Sequence, residues 1–200
     1  MQHQQRRRRG RPRSETAASH DTILEAVYEL LQERSVRDVT MEAVAKLAGV
    51  GKPTLYKWWP TKAALAIAVL QKWLVNNDSV PSLTGSAETV IRSAVHSLIA
   101  LFNGFFGKVI ADLIAEGQSE PAVLQELYDR HIGQRRAETV AAVERGIAAG
   151  EFVADTDPDI LIDTIFGAIY YRLLLRSAPL TEEFGEKVVD QVLSGVRRVV

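Results

Sequence analysis

The sequence predicts an all-α protein in which a small N-terminal helical unit precedes a larger helical bundle. Three observations lead there. Apolar residues recur at three- and four-residue intervals along almost the whole chain, the period of helices with one buried face. No segment sustains the alternation of a strand, and no Asn-Gly or Asp-Gly pair offers a hairpin turn. Asn103-Gly104, Gly117, Pro121, Gly150, Pro158 and Pro179 fall between the periodic runs, where helices stop and restart.

The elements follow in order. Residues 1–13 hold Gln and Arg with nothing to bury and read as a disordered basic arm. A helix is expected from about Ser14 to Arg34, with Ile23, Val27, Leu30 and Leu31 on one face. Two short helices follow within residues 40–59, and a fourth runs from Lys62 to about Val75. The turn-rich stretch NNDSVPSLTG, residues 76–85, marks a boundary. Five more helices are expected at about 86–103, 105–117, 121–149, 158–177 and 182–199. The domains are thus a basic arm (1–13), an N-terminal three-helix unit (14–60), a connecting helix and linker (61–80) and a rear helical domain (81–200).

Composition narrows the functional classes. With 200 residues, 46 % hydrophobic and 24 % charged, the chain can bury a core without staples. Cysteine is absent, which excludes disulfides and thiolate metal sites and suits a reducing cytoplasm. No apolar run reaches the ~18 residues of a membrane span, and no apolar stretch follows the N-terminal arginines as a signal peptide would require. A cytoplasmic protein with no membrane partner is therefore expected. The net charge of −1 hides an asymmetry: residues 1–80 carry 13 Lys/Arg against 8 Asp/Glu, and residues 81–200 carry 11 against 17. A basic front and an acidic rear imply that only the front meets a polyanion.

The stretch TMEAVAKLAGVGKPTLYKWWPTKAAL, Thr40 to Leu65, is the informative one. Thr40 can cap the next helix, with Glu42 near its positive end. Val44, Ala45 and Ala48 are small enough to let a second helix approach. Gly49 suits a left-handed helix terminus. Gly51, Lys52 and Pro53 open a second helix, proline being tolerated in a first turn. It lasts about two turns, to Trp59-Pro60. Helix, tight turn and short helix form the helix-turn-helix geometry that lays a recognition helix in the major groove of DNA. Thr61 reads as a further N-cap, which sets Lys62 in a helical first turn that is already partly positive. Two positive features together would hold a DNA phosphate; the bland alternative is a solvated lysine.

This segment resembles the TetR family of transcriptional regulators. The matching residues are Thr40, Ala45, Ala48-Gly49-Val50, Thr54-Leu55-Tyr56, a bulky aromatic at Trp59, and Lys62 followed by Leu65, in order and spacing; the resemblance covers about residues 14–75. It implies a homodimeric regulator, usually a repressor, that releases a double-stranded DNA operator when a small-molecule effector binds the rear domain. By the same resemblance Lys52, Thr54, Tyr56, Lys57 and Lys62 fall on DNA-contact positions, and Thr40 and Trp58 complete the candidate set. Three departures are Gly51 where serine is frequent, Pro53 with no hydrogen-bonding side chain, and the pair Trp58-Trp59. Trp59 is expected to pack inward; Trp58 lies either at the DNA backbone or over the fourth helix. Arg9-Gly10-Arg11-Pro12 resembles the core of an AT-hook, whose arginines enter a narrow A·T-rich minor groove. A basic tail gripping phosphates without preference is the alternative.

In the rear domain, Leu161, Ile162, Ile165, Phe166, Ala168, Ile169, Tyr170 and Leu173 spread over more than half of their helix. Val188, Val189, Val192, Leu193, Val196 and Val199 do the same on the last. Faces this wide suggest a subunit interface, with Ile169 and Val192 within it. Central helices buried in one protomer are the alternative. On 121–149 the stripe Leu124, Leu127, Tyr128 and Ile132 has His131 at its centre and Arg135 nearby. The candidate effector wall is Phe102, Phe106, Tyr128, Phe166 and Tyr170, with His131 as polar anchor; the alternative is a satisfied core histidine and an Arg135 paired with a carboxylate. His96 is expected on a polar, exposed flank. Trp73 stands at the rear end of the fourth helix. No Gly-x-Ser-x-Gly, phosphate-binding glycine loop or His-Glu-x-x-His occurs, so no enzyme, cofactor or metal is expected. A constitutive or architectural DNA-binding protein remains the second reading.

Overall fold

The computed structural model describes residues 13–74 and 84–197, and side chains from residue 19 onward. The candidates Arg9, Gly10 and Arg11, and most of the 76–85 boundary, lie outside the described residues. Ten α-helices and one π-helical turn make up the described fold: α1 (Arg13–Glu33), α2 (Met41–Leu47), α3 (Lys52–Trp58), α4 (Lys62–Leu74), α5 (Ala87–Asn103), α6 (Phe105–Gly117), α7 (Pro121–Leu127), the π turn (Tyr128–Ile132), α8 (Gly133–Ala149), α9 (Pro158–Leu175) and α10 (Glu182–Leu193).

The small N-terminal unit is built by local chemistry. The Thr40 hydroxyl accepts the Ala43 N–H at 3.2 Å and starts α2. Gly49, at φ 64°, ends it; the Gly49 N–H reaches the Lys46 carbonyl and the Val50 N–H the Ala45 carbonyl, so two otherwise unpaired carbonyls are satisfied. Pro53 sits in the first turn of α3, and Thr61 caps α4 through the Ala64 N–H at 3.0 Å. Ile23, Val27, Leu31, Val44, Leu55, Trp59 and Leu65 close one core under these helices. Trp59 is 7 % exposed, packed inward as its position predicts.

α4 belongs to both halves. Ala63 through Ile67, Val69, Leu70 and Leu74 are all buried, because α1 packs on one side and α6 and α7 on the other. A helix apolar on nearly all sides is an interior helix. α5 and α6 meet at an 86° corner. Gly107 makes that corner: a Cβ there would lie 2.1 Å from the Phe102 carbonyl oxygen, so only glycine lets the two backbones approach.

Four expectations are corrected. The helix read as continuous over 121–149 is interrupted by the π turn, where the Gly133 N–H bonds the Tyr128 carbonyl five residues back. The last helix stops at Leu193 rather than running to 199; the chain turns at Ser194-Gly195, and the Val153 N–H takes the Val196 carbonyl at 2.9 Å beside a lone antiparallel bridge between Phe152 and Arg197. Ile169 is fully buried inside the protomer, with Leu161, Ile162, Ile165 and Leu173, so the wide apolar face of α9 serves the protomer's own core. His96 is only partly exposed: its ring contacts Glu186 of α10, next to an Arg92 cluster with Glu88, Glu186 and Asp190. Burial works against the Arg92 charge, but contacts with Asp190, Glu88 and Glu186 outweigh it and hold the guanidinium protonated.

Candidate nucleic-acid interface and interior cavity

α3 is short because Gly51 and Pro60 bracket it, and it buries one face only. Leu55 points into the core, while Lys52, Tyr56, Lys57 and Trp58 are exposed and Thr54 is half-buried. The sequence-predicted DNA contacts on α3 are therefore exposed or half-buried and spread around the part of the helix that does not face the core, with Thr40 at the start of α2 exposed as well. Trp58 leans edge-on against His20 of α1 at 5.8 Å, and the Lys57 ammonium lies 5.4 Å from the Trp58 ring centre. Lys52 pairs with Glu42 across the turn, which holds the Glu42 carboxyl below its usual range. Both partners are exposed, so water and salt screen the pair and it is weakly held.

Lys62 is placed differently. Its ammonium donates to the Arg37 carbonyl at 2.8 Å and lies 3.4 Å from Glu116 of α6. Two more α6 side chains hold the same region. Lys108 donates to the carbonyls of Arg34 (2.9 Å) and Leu31 (3.4 Å) at the end of α1, and Asp112 accepts the Val36 N–H at 2.9 Å. Lys108, Asp112 and Glu116 are spaced one turn apart, so one polar edge of α6 is fastened to the helix-turn-helix unit at three points. A polar residue every fourth position in an otherwise apolar helix was the signal in the sequence.

The opposite side of α6 faces a cavity of about 400 Å³ in the rear domain, within the range of small-molecule sites. α4 supplies Leu74, α5 Leu98 and Phe102, α6 Ile110, α7 Leu127, and α9 Ile162, Phe166 and Tyr170. The π turn and α8 supply Tyr128, His131 and Arg135. Five of the six sequence-predicted wall residues are thus brought together: Phe102, Tyr128, His131, Phe166 and Tyr170. Tyr128 is 44 % exposed and stands at the mouth. Phe106 is a correction: it does not line the cavity. The α5–α6 corner turns it into a run of rings in which Phe106 meets Phe105 at 5.1 Å, Phe105 meets Tyr28 at 4.9 Å, and Tyr28 stacks on Trp73 at 4.8 Å. Burial, with Arg135 nearby, pushes the His131 imidazole down to about 4. Burial pushes the Tyr170 phenol up to about 12 against the opposing influence of Arg135. Arg135 lines the cavity as well, and the carboxylate partner that the sequence offered as the alternative is not found for it among the described residues.

The comparisons agree with this architecture. Residues 23–69 match the family described as bacterial regulatory proteins, tetR family, and residues 81–192 match the tetracyclin repressor-like C-terminal domain. The chain is 33 % identical over 190 residues to the uncharacterized HTH-type transcriptional regulator YdeS of Bacillus subtilis, covering 95 % of this chain and 94 % of the relative. It is 27 % identical over 183 residues to the DNA-binding transcriptional repressor TetR of Mycobacteroides abscessus, covering 90 % and 94 %. Among solved structures, the TetR family transcription regulator SCO0332 superposes with a TM-score of 0.71 at 29 % identity, covering 90 % of this chain and 99 % of that one. With both halves matched in sequence and the whole architecture shared, the chain belongs to the TetR family of DNA-binding transcriptional regulators.

Proposed function

We propose that this regulator is a repressor that binds its operator as a homodimer and releases it when a small molecule enters the rear cavity. The observation that carries this reading is the double duty of α6: Ile110 stands in the cavity wall, while Lys108, Asp112 and Glu116 fasten the helix-turn-helix unit. A ligand that favours a different setting of α6 would shift the orientation of α3. A 100-fold loss of operator affinity needs about 2.7 kcal/mol of such coupling, and DNA must weaken the ligand equally.

A stripe along α9 supports dimerisation. Ile160, Tyr171, Leu174 and Leu175 are 65 %, 58 %, 43 % and 61 % exposed, and all fall on one side of the helix. Gly167, at the edge of this side where it borders the cavity, has open space before it. This stripe takes over the role that the sequence assigned to Ile169. The partner is a second copy, in keeping with the family, and an interface of roughly 2,000 Å² or more is expected.

The test is selection of genomic fragments bound by the purified protein, followed by screening of small molecules against the protein–operator complex. Release by a molecule whose potency falls in Tyr128→Ala or Phe166→Ala supports the reading. An operator complex that no cavity ligand weakens overturns it in favour of a constitutive DNA-binding protein.

A further inference from the structure

The wall of the cavity is largely apolar; apart from Ser97 of α5 and Thr139, whose hydroxyl donates to the Arg135 carbonyl at 3.0 Å, its charged and ring-borne polar groups come from the π turn, α8 and α9 and fall into two sets. Arg136 is fully engaged, donating to Asp159 at 2.5 Å and to Asp163 at 2.9 Å. Glu138 accepts from the exposed Gln134 at 3.0 Å, one turn back along the surface of α8. The second set has no such partners. The Arg135 guanidinium makes no ion pair or side-chain hydrogen bond among the described residues, although it is half-buried and lines the cavity. The His131 Nε2 is buried without a hydrogen-bond partner. Tyr170 reaches the same cavity from α9, its ring edge-to-face with Phe102 at 5.0 Å, and is close enough to feel the Arg135 charge. Buried polar groups without partners are few in native proteins, and each needs an explanation.

We propose that the effector is a small organic acid whose carboxylate is bound by Arg135, with hydrogen bonds from the His131 Nε2–H and the Tyr170 hydroxyl, and whose apolar body fills the space between Leu98, Phe102, Ile110 and Phe166. The inference rests on the reading of this cavity as the effector site. Neutral His131 with its proton on Nε2, the tautomer that a bound carboxylate selects, and protonated Tyr170 are both donors. A guanidinium in a shaped, partly water-free wall is suited to a planar carboxylate, and charge-assisted hydrogen bonds are about twice as strong as neutral ones. Arg135 is the guanidinium of this wall without a carboxylate partner among the described residues, and Glu138, hydrogen-bonded only to the neutral Gln134, keeps its negative charge in the lining, so a monoanion is favoured over a dianion. A cavity of about 400 Å³ is of the size that holds small ligands and suits a short-chain or single-ring acid.

The experiment uses the full chain and matched probe pairs: octanoate with octanamide, and 4-phenylbutyrate with 4-phenylbutanamide, with octyl phosphate as a third head group. Calorimetric titration should show at least one acid binding about 10-fold or more tightly than its amide. Arg135→Gln should weaken that acid by about 10- to 100-fold, the range for a lost charge-assisted hydrogen bond, while leaving the amide unchanged, and Arg135→Lys should restore part of the difference. Helical content and melting temperature equal to wild type exclude misfolding. Amides that bind as well as acids, an acid preference that survives in Arg135→Gln, a tighter octyl phosphate, or no acid binding at all would each overturn the proposal. The operator complex is titrated with the same probes. An acid that binds through Arg135 and leaves the DNA bound upholds the ligand class and sinks the repressor-release reading; release by a neutral compound does the reverse.

Discussion

Lys57 and Lys62 show how two lysines five positions apart take different work. Lys57 is exposed on α3 beside Trp58, whereas Lys62 already holds the Arg37 carbonyl and Glu116. Lys57→Ala should cost about 1–3 kcal/mol on the operator and relax its base preference. Lys62→Ala should instead remove the tie to Arg37 and Glu116, weakening operator and random DNA alike and lowering the melting temperature. Fluorescence anisotropy across a salt series separates the two, and equal effects on both kinds of DNA for both variants would remove Lys57 from base readout. His131 makes a pH prediction. Its folded value of about 4 lies below the ordinary 6.5, so the unfolded chain takes up the proton first as pH falls. His131 therefore costs nothing above about pH 6.5, and its penalty grows down to about pH 4, to a limit on the order of 2–3 kcal/mol. His131→Gln should flatten the loss of melting temperature over that window; a parallel shift at every pH would contradict the assignment. Caps were legible in the sequence, because Thr40 and Thr61 act on N–H groups three residues away. The freedom of Arg135 was not, because it depends on Arg136 occupying both carboxylates offered by α9.

At the scale of elements, nearly every helix could be placed from periodicity and punctuation, but two features could not. The π turn has no sequence punctuation before Gly133: the run YDRHI continues the apolar stripe, and the extra residue is absorbed without a break in pattern. The second is which side of α9 is inside. Apolar side chains surround the helix, so periodicity alone cannot separate the protomer core at Ile165 and Ile169 from the exposed stripe at Tyr171 and Leu175. That distinction yields a test. Tyr171→Glu with Leu175→Glu should leave the protomer folded and shift sedimentation at micromolar concentration to monomer, with loss of operator binding, since a charge would be buried unpaired in the interface. Ile169→Glu should instead unfold the protomer. A dimer that survives the double substitution would place the interface elsewhere.

For the whole molecule, the proposed dimer should set two recognition helices against a near-palindromic operator with half-sites about 34 Å apart, or a multiple of that. The six arginines among residues 1–13 should add affinity without adding stability. Deleting them should weaken DNA binding at an unchanged melting temperature. A loss confined to operators with A·T flanks would indicate minor-groove entry, and equal loss on all flanks a phosphate grip. The three-point fastening along α6 has a consequence for how the molecule comes apart. The helix-turn-helix reads as a separate domain in sequence, yet α4 is interior to both halves, and Leu31, Arg34, Val36 and Lys62 are all tied to α6. The reading head then has no private melting point: it opens when the body opens, in one cooperative unit. An effector bound only in the rear should slow amide exchange in α2 and α3 about as much as in α5, by RT ln(1 + [L]/Kd). Exchange in α2 and α3 that ignores the effector would mean that the two halves keep separate stabilities.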